Sequence, residues 1–262
     1  MRIIKILFLS FSCLVNSQEN LNAVIVDYIE ITDFGILSNT NSTLIANSKS
    51  ASYKRKNIKY DNIEEDIVVI KHSDSVGHNN FNKESYFSNL QDKNIHFIDE
   101  SVNELKVFRD SIVDINWIID NSKFETFLGF KCQSAKGLFR GREYTAWFTT
   151  EIPISYGPWK LHGLPGLILK VKDKSNQIEI LATQIIFSRF EMPLKFTLDD
   201  EEKVYDIKDY LLLLNNEEEN YFKEVMTKVL SKMPRGATIN NINLDSHENN
   251  KYEINFEWEK EN

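Results

Sequence analysis

The chain has 262 residues, a formal net charge of −8 and 27% charged residues. This excess of acid disfavours binding to nucleic acid or to anionic lipid, so we expect no nucleic-acid partner. Hydrophobic residues make up 42% of the chain, with 17 Phe and 10 Tyr. That content excludes global disorder and is sufficient for a sizeable core.

The first residues have the pattern of a secretory signal peptide. Arg2 and Lys5 precede an apolar run over residues 6–15, and Val15-Asn16-Ser17 leads to Gln18. The run is too short to span a bilayer. We therefore expect residues 1–17 to be removed and residues 18–262 to form one exported domain. Its location would be the periplasm, the outer-membrane surface or the cell exterior.

Two cysteines bear on this prediction. Cys13 raises the alternative of a lipoprotein, but Ser10 stands where a lipobox has an aliphatic residue. Cleavage after Ser17 leaves Cys132 alone, so no internal disulfide can form. Cys132 lies in an alternating strand pattern, which favours a packing role over a reactive thiol. No later stretch is apolar enough to cross a membrane, so we expect a protein that is not integral to one.

The first half of the chain reads as strands separated by polar turns. Residues 23–31 are rich in β-branched side chains and predict a strand. Residues 38–62 are rich in Ser, Asn and Lys and predict a mobile loop or a long hairpin tip. Further short strands are predicted at 67–70, 86–87, 95–98, 105–108, 115–118 and 127–130. The run Asp120-Asn121-Ser122-Lys123 predicts a hairpin turn between the last two.

The second half adds helices. Residues 144–150, 167–172 and 177–186 predict strands, with a turn at Asp173-Lys174-Ser175-Asn176. Apolar spacing near 3.6 predicts two helices, over 207–214 and 218–233. Tyr252, Ile254, Phe256 and Trp258 alternate with polar residues and predict a final strand whose acids face solvent. The expected fold is α+β: a curved, antiparallel, bowl-like or meander sheet with a helical hairpin near the C-terminus.

One loop concentrates the backbone-restricting residues of the chain. It contains Gly157-Pro158 and, a few residues later, Gly163-Leu164-Pro165-Gly166-Leu167-Ile168. Glycine permits positive φ and proline restricts φ, so the cluster specifies one loop shape leading into a buried strand. The second run is the signature of the GLPGLI family, which the chain resembles. The similarity extends upstream through Trp117, 129–135, 140–142, 146–149, 151–153 and 157–160.

The resemblance implies an exported protein of the Bacteroidota type. Members are often encoded near TonB-dependent outer-membrane receptors, and their biochemical role is unassigned. Some look related to a bowl-like, β-rich domain at the N-terminus of a bacterial peptide-N-glycosidase. The family provides no catalytic residues to carry over.

Motifs for common enzyme chemistry are missing from the sequence. It has no His-Glu-x-x-His helix, no Gly-x-Ser-x-Gly elbow and no glycine-rich phosphate or dinucleotide loop. His72 and His78, with Asp74 between them, could contact a metal, but their spacing is more typical of a solvated loop. We therefore predict no metal and no cofactor, and no residue is assigned a catalytic role.

Six residues around the Gly/Pro loop form the candidate binding set: Arg140, Arg142, Trp147, Trp159, Lys160 and His162. Guanidinium groups bind carboxylate or phosphate, and indole rings stack on sugars or peptides. The alternative is structural: the indoles pack in the core and the cations pair with acids.

Two functions remain open from the sequence. The leading hypothesis is a non-enzymatic binding or accessory protein, associated with an outer-membrane receptor. The alternative is a hydrolase of peptide or glycan with the Gly/Pro loop at the rim of its site. A binding protein needs an aromatic or apolar concavity, whereas an enzyme needs converging titratable groups with perturbed pKa values.

Overall fold

The computed structural model describes residues 23–34, 37–55, 69–71, 84–99, 106–188, 194–197, 203–232 and 252–261. Within these residues, fourteen strands, one α-helix and one short 3-10 helix are present. The strands are β1 (Ala23–Asp33), β2 (Leu37–Ala46), β3 (Ser50–Arg55), β4 (Val69–Lys71), β5 (Glu84–Asn89), β6 (Asn94–Asp99), β7 (Val107–Ser111), β8 (Ile118–Phe127), β9 (Phe130–Phe139), β10 (Arg142–Thr149), β11 (Leu167–Asp173), β12 (Ile178–Ser188), β13 (Lys195–Thr197) and β14 (Val204–Asp206). The helix α1 covers Ile207–Lys232, and the 3-10 helix covers Glu257–Glu261.

Twelve strands form one open, curved sheet in the order β14-β7-β6-β5-β3-β2-β1-β12-β11-β10-β9-β8. Every neighbouring pair is antiparallel except β14 and β7, which are parallel. The strands β4 and β13 form a separate parallel pair. The predicted curved antiparallel sheet is confirmed, and so are the first strand and the turn between β11 and β12.

One face of the large sheet carries most of its aromatic core, and we call it the inner face. Fully buried side chains on this face include Tyr28, Tyr53, Phe97, Phe108 and Tyr144. Tyr210 of α1 packs edge-on against Phe97 and Phe108, with ring centroids 5.0 Å apart in both cases. Residues 252–261, which we call the C-terminal segment, also lie on this face. The helix and this segment therefore cover the inner face of the sheet.

The predicted helical hairpin is wrong, because α1 is one continuous helix over Ile207–Lys232. The sequence between the two predicted helices is Asn215-Asn216-Glu217. Asn lowers helix stability by only a fraction of a kcal/mol relative to Ala, whereas Gly and Pro lower it by about 1 and 3 kcal/mol. No Gly or Pro occurs there, so nothing local ends the helix.

Of the two alternatives for residues 38–62, the mobile loop is wrong over the residues that the structure describes, since β2 and β3 form an antiparallel hairpin there; residues 56–62 lie outside that part. Small polar side chains on these strands are buried and hydrogen-bonded. The hydroxyl groups of Ser42 and Tyr53 are hydrogen-bonded at 2.7 Å, and Thr43 Oγ1 donates to Asp27 Oδ1 at 2.7 Å. The composition predicted a polar loop because it does not show which hydroxyl groups are hydrogen-bonded in the folded protein.

The hairpin turn predicted at Asp120–Lys123 lies inside β8, where the register with β9 shifts between Asp120 and Phe124. Asp120 Oδ1 accepts from the backbone N–H of Ser122 at 2.9 Å, so its turn chemistry forms a bulge. The chain reverses instead at Leu128 and Gly129, whose φ values are 51° and 86°. Of the strand predicted at 115–118, only Ile118 lies in a strand.

The predicted C-terminal strand is wrong as well. Residues 252–256 have no regular secondary structure and pair with no strand, and a 3-10 helix follows. Phe256 is buried, as expected, but Glu253 does not face solvent: it binds Arg140 and Lys160. Alternation alone predicts which residues share a face, and it does not predict whether an edge is available for pairing.

Candidate functional site

The site is organised by the turn between β9 and β10. Arg140 and Gly141 form its two central residues, with φ values of 42° and 86°. Two successive positive φ values are typical of the type I′ hairpin turn, which matches the twist of the flanking strands. Glycine adopts this conformation readily, but arginine does so at a cost. The turn places the Arg140 side chain on the inner face, where it is 6% exposed.

Arg140 is the centre of a group of charges, buried except for the exposed Glu257, which we call the ion-pair cluster: Asp110, Arg140, Lys160, Glu253 and Glu257. Arg140 donates through both terminal nitrogens to Asp110, at 2.7 and 2.8 Å. Lys160 Nζ lies 2.8 Å from Asp110 and 2.9 Å from Glu253. Arg140 also binds Glu253, and its Nε lies 3.2 Å from Glu257. Bidentate, charge-assisted contacts of this kind hold a side chain in one geometry.

The cluster fixes the charge states of its members. Burial alone would raise the pKa of Asp110, but Lys160 and Arg140 outweigh burial and lower that pKa to about 2. Burial would likewise lower the pKa of Arg140, but Asp110 and Glu253 raise it above its ordinary value. Asp110 is therefore ionised, and Arg140 protonated, throughout the physiological range.

A second polar group lies beside the cluster, around Glu30. Its carboxylate accepts from Arg55 Nε at 3.0 Å and from the Tyr252 hydroxyl at 2.8 Å. The Tyr53 hydroxyl donates to the same carboxylate. The Arg55 guanidinium stacks over the Tyr252 ring, 4.4 Å from its centroid. Tyr252 thus joins the C-terminal segment to the centre of the sheet.

Between these groups lies a cavity of about 220 Å³, which we call the inner cavity. Its wall combines six aromatic residues with four charged ones and two leucines of α1. The aromatic residues are Tyr86, Phe97, Trp159, Tyr210, Tyr252 and Phe256. The others are Arg55, Asp99, Lys160, Glu253, Leu211 and Leu214. Flat apolar surface and fixed charge are therefore both present at one place.

Three of the six predicted binding residues meet here. Trp159 and Lys160 line the inner cavity, and Arg140 holds Lys160 through their shared partners. Trp159 has a φ of 57°, and its ring packs against Tyr252 at 5.1 Å and Phe139 at 5.6 Å. These three residues are buried, so they form the interior wall and not an exposed rim.

The other three lie elsewhere, and all are buried. Arg142 binds Asp173 and Gln177, each at 2.9 Å, beside a polar cleft of about 540 Å³. Trp147 packs edge-on against Phe127, 6.4 Å away.

His162 contacts backbone groups. Its Nδ1 lies 2.8 Å from the Lys160 carbonyl oxygen, and its own carbonyl accepts from Trp117 Nε1 at 2.8 Å. Burial lowers the pKa of His162, although its hydrogen bond to Lys160 opposes this. His162 is therefore part of the interior, and ligand binding by any of the six residues stays a prediction.

The Gly163–Ile168 motif is mostly buried. Leu164, Leu167 and Ile168 are buried, while Gly163 and Pro165 are exposed. Gly163 has a φ of +91°, but Gly166 does not have a positive φ. A Cβ at Gly166 would instead lie 2.0 Å from the carbonyl oxygen of Thr149. Glycine is therefore needed at position 166 for space and at position 163 for conformation.

Sequence reasoning missed six charged residues of the site: Glu30, Arg55, Asp99, Asp110, Glu253 and Glu257. One signal was present for Glu30, which shares the inward-facing positions of β1 with Val26 and Tyr28. An acid among buried apolar positions indicates a buried partner. Asp110 and Arg55 share a face with the buried Phe108 and Tyr53 in the same way, but this alternation does not show their partners, which are distant in sequence.

Among the residues that the structure describes, no group of three or more His, Cys, Asp or Glu side chains could hold a metal ion. No described helix has the length and apolar character needed to cross a bilayer. Cys132 is buried, as expected, and burial raises the pKa of its thiol to about 11. The predictions at 1–17, His72 and His78 lie outside the described residues.

Comparisons with known proteins identify similar structures and the family of the chain. A structure of PNGF-II superposes with a TM-score of 0.51 at 16% identity, over 75% of this chain and 34% of that chain. A second PNGF-II structure gives 0.49 at 15% identity, over 74% and 33%. A putative outer membrane lipoprotein-sorting protein domain from Vibrio parahaemolyticus gives 0.31 at 8% identity, over 65% and 87%. The last two scores are too low to support a conclusion.

The first PNGF-II comparison shows a shared fold alone, and the chain spans about a third of the length of that protein. No curated protein matches the sequence. Residues 31–170, more than half of the chain, match the family described as "Protein of unknown function (Porph_ging)". The GLPGLI name suggested by residues 163–168 stays a prediction. The chain belongs to the Porph_ging family.

Proposed function

We propose that this is an exported, non-enzymatic binding protein that holds a small amphipathic ligand in the inner cavity. The observation that carries the proposal is the wall of that cavity, where six aromatic residues surround the charged groups of Arg55, Asp99, Lys160 and Glu253. Ligand sites are typically concave and apolar, with few well-placed polar groups. The ligand would combine a flat apolar part with a charged group.

The pKa values around the cavity support binding over proton transfer. The pKa of Asp110 is lowered to about 2, and burial raises the pKa values of Tyr86 and Tyr252 well above their ordinary range. A general acid or base works best with a pKa near the operating pH. These three groups keep one protonation state near neutrality, which suits fixed contacts.

Export is proposed from the N-terminal pattern, and association with an outer-membrane receptor stays a prediction. Cleavage after Ser17 would leave Gln18 as the first residue of the mature protein. Mass spectrometry of the protein from its native envelope tests this. A mature chain that begins at Met1, or one that carries lipid on Cys13, contradicts it.

The cavity is tested by filling it. Leu214 lines the inner cavity from α1, whereas Leu212 on the same helix is 63% exposed and does not line it. We expect Leu214→Trp to weaken binding of the amphipathic dye anilinonaphthalene sulfonate about tenfold, equivalent to 1.4 kcal/mol. Leu212→Trp is the matched control and should bind as the wild type does. Fluorescence titration measures both.

The two variants must also melt like the wild type, because a loosened core binds this dye non-specifically. Equal dye affinity in wild type, Leu214→Trp and Leu212→Trp would mean that the cavity is not the site. Loss of binding in Leu214→Trp alone supports the proposal.

A further inference from the structure

The C-terminal segment contacts the sheet as a bound peptide contacts its receptor. The backbone N–H of Ile254 donates to the Arg140 carbonyl oxygen at 2.8 Å, and the N–H of Asn255 donates to the same oxygen at 3.2 Å. The Tyr144 hydroxyl donates to the Tyr252 carbonyl at 3.2 Å. These are point contacts from a turn and a side chain, and residues 252–256 form no ladder with a strand. The segment is thus held differently from the strands.

Its side chains occupy complementary positions on the sheet. Tyr252 lies between the guanidinium of Arg55, at 4.4 Å, and the ring of Trp159, at 5.1 Å. Glu253 binds Arg140 and Lys160. This arrangement selects an aromatic residue followed directly by an acidic one.

Phe256 completes the pattern three residues after Glu253. It is buried, and its ring lies 4.8 Å from the Arg140 guanidinium. The segment also carries Glu257 and Glu259, and the surface that receives it presents Arg55, Arg140 and Lys160 beside the acids Glu30 and Asp110. Glu253 and Glu257 therefore bind cations that other acids of the sheet already hold in place.

The receiving surface is built at a conformational cost. Five non-glycine residues in the described part of the chain have positive φ, and two of them, Arg140 and Trp159, contact the C-terminal segment. Bulky residues in this conformation are costly and concentrate at functional sites. Gly141 adds close approach, because a Cβ there would lie 3.0 Å from Ile254 Cβ. The backbone of the C-terminal segment therefore lies directly against this turn.

We propose that this surface is a peptide-binding site whose external ligand is a segment of another protein with an aromatic–acidic pair, and that the C-terminal segment occupies the site in its absence. The inference rests on the proposed binding function, because Tyr252, Glu253 and Phe256 also line the inner cavity. Departure of the segment would both open the cavity and expose Arg140 and Lys160 to the incoming carboxylate.

The test uses a fluorescent synthetic peptide with the sequence of residues 251–259 and two full-length variants. Glu253→Gln removes the carboxylate that binds Arg140 and Lys160 and weakens the internal competitor. Glu143→Gln is the matched control, since Glu143 pairs only with the exposed Lys174 among the described contacts. Apparent affinity rises in proportion to the fraction of molecules with an open site. We expect Glu253→Gln to bind the peptide about tenfold more tightly than wild type or Glu143→Gln.

Peptide sequence provides the specificity control. A scrambled peptide, and one with Gln in place of the acid after tyrosine, should each bind the Glu253→Gln variant about tenfold more weakly. Equal binding of all three peptides, or no binding to the variant, overturns the inference. If the peptide fails while the dye still distinguishes Leu214→Trp from Leu212→Trp, the cavity proposal stands and only this inference fails.

Hydrogen exchange of the unmodified protein covers the case in which Glu253→Gln does not fold. Departure of the C-terminal segment from a folded sheet predicts that the amides of Ile254 and Asn255 exchange at least about a hundredfold faster than those of β10. Exchange of Ile254, Asn255 and β10 at one common rate would show that the segment leaves only on global unfolding, which overturns the inference.

Discussion

The two turns that flank β9 have the same backbone and different surroundings. Leu128-Gly129 precedes the strand with φ values of 51° and 86°, and Arg140-Gly141 follows it with 42° and 86°. Leu128 is 46% exposed, and a Cβ at Gly129 would meet nothing within 4 Å. Arg140 is buried, and Gly141 touches the C-terminal segment. One turn only reverses the chain, whereas the other also forms a receiving surface.

The comparison shows that local strand pairing sets the conformation of a turn, whereas tertiary contacts set its role. Two positive φ values follow from tight antiparallel pairing on both sides of the turn. The burial of Arg140 depends on Asp110 of β7, Lys160 of the Gly/Pro loop and Glu253 of the C-terminal segment. Those residues come from three distant parts of the chain. Substitutions at matched positions can therefore separate local from tertiary effects.

The largest effect is expected at Gly166, where glycine is required because there is no room for a Cβ, and not because φ is positive. Gly166→Ala would place a Cβ 2.0 Å from the Thr149 carbonyl oxygen, and that backbone cannot move without disturbing β10. We expect a loss of more than about 4 kcal/mol in the free energy of unfolding, or failure to fold. Urea denaturation measures it, with Gly129→Ala as the control. A Gly166→Ala protein as stable as the Gly129→Ala protein would show that the loop adapts.

Removing the side chains of the two turn residues should give the next largest difference. Arg140→Ala leaves Asp110 buried with Lys160 as its remaining partner, and breaking a buried ion pair costs about 3–5 kcal/mol. Leu128→Ala changes an exposed side chain and should cost about 0.5 kcal/mol or less. Both substitutions keep a non-glycine residue at positive φ, so backbone strain cancels in the comparison. Equal midpoints in urea would contradict a stabilising role for the ion-pair cluster.

Low pH should destabilise the contacts of the Arg140-Gly141 turn, which carries charge, and not those of the Leu128-Gly129 turn. Asp110 has an ordinary pKa of 3.8 and a folded-state pKa of about 2, so its contribution is complete above about pH 4 and is lost as pH falls through about 2. A difference of nearly two pKa units corresponds to about 2 kcal/mol.

Urea titrations at several pH values should show this dependence, and Asp110→Asn should remove it. An Asp110→Asn protein whose stability falls by the same amount between pH 5 and pH 2 would assign the acid sensitivity to other carboxylates.

The smallest effect is expected from Gly141→Ala and Gly129→Ala. Both place a Cβ at φ of +86°, which costs about 1–2 kcal/mol. Only at Gly141 would that Cβ also crowd Ile254 and Asn255, at 3.0 and 3.1 Å. We expect Gly141→Ala to cost about 1 kcal/mol more, at the low end of overpacking effects. If the two variants are equally stable, the C-terminal segment does not depend on close contact with this turn.

Local patterns predicted most of the sheet, because a strand is a short-range feature. Alternating side chains marked Tyr144, Ala146 and Phe148, and β10 is present there. A polar run predicts a loop or a turn only if its polar groups are solvated. The sequence does not show whether they are. The hydroxyls of Ser42 and Thr43 are satisfied inside the sheet, so those positions became strand.

The sequence predicted the candidate site only in part, because it shows residue types and local spacing. The sequence by itself brought Arg140, Trp159 and Lys160 into one list, since their residue types suit recognition and they lie within twenty positions of one another. It could not identify Asp110 and Glu253 as the partners of Arg140 and Lys160, because an ion pair across many residues leaves no local pattern.

Only the tertiary structure decided that Arg140 is a buried hub, that Arg142 belongs to a different contact with Asp173, and that His162 is buried. The physical reason is that local sequence restricts φ, ψ and side-chain period, whereas the partner of a buried charge is selected by the whole fold.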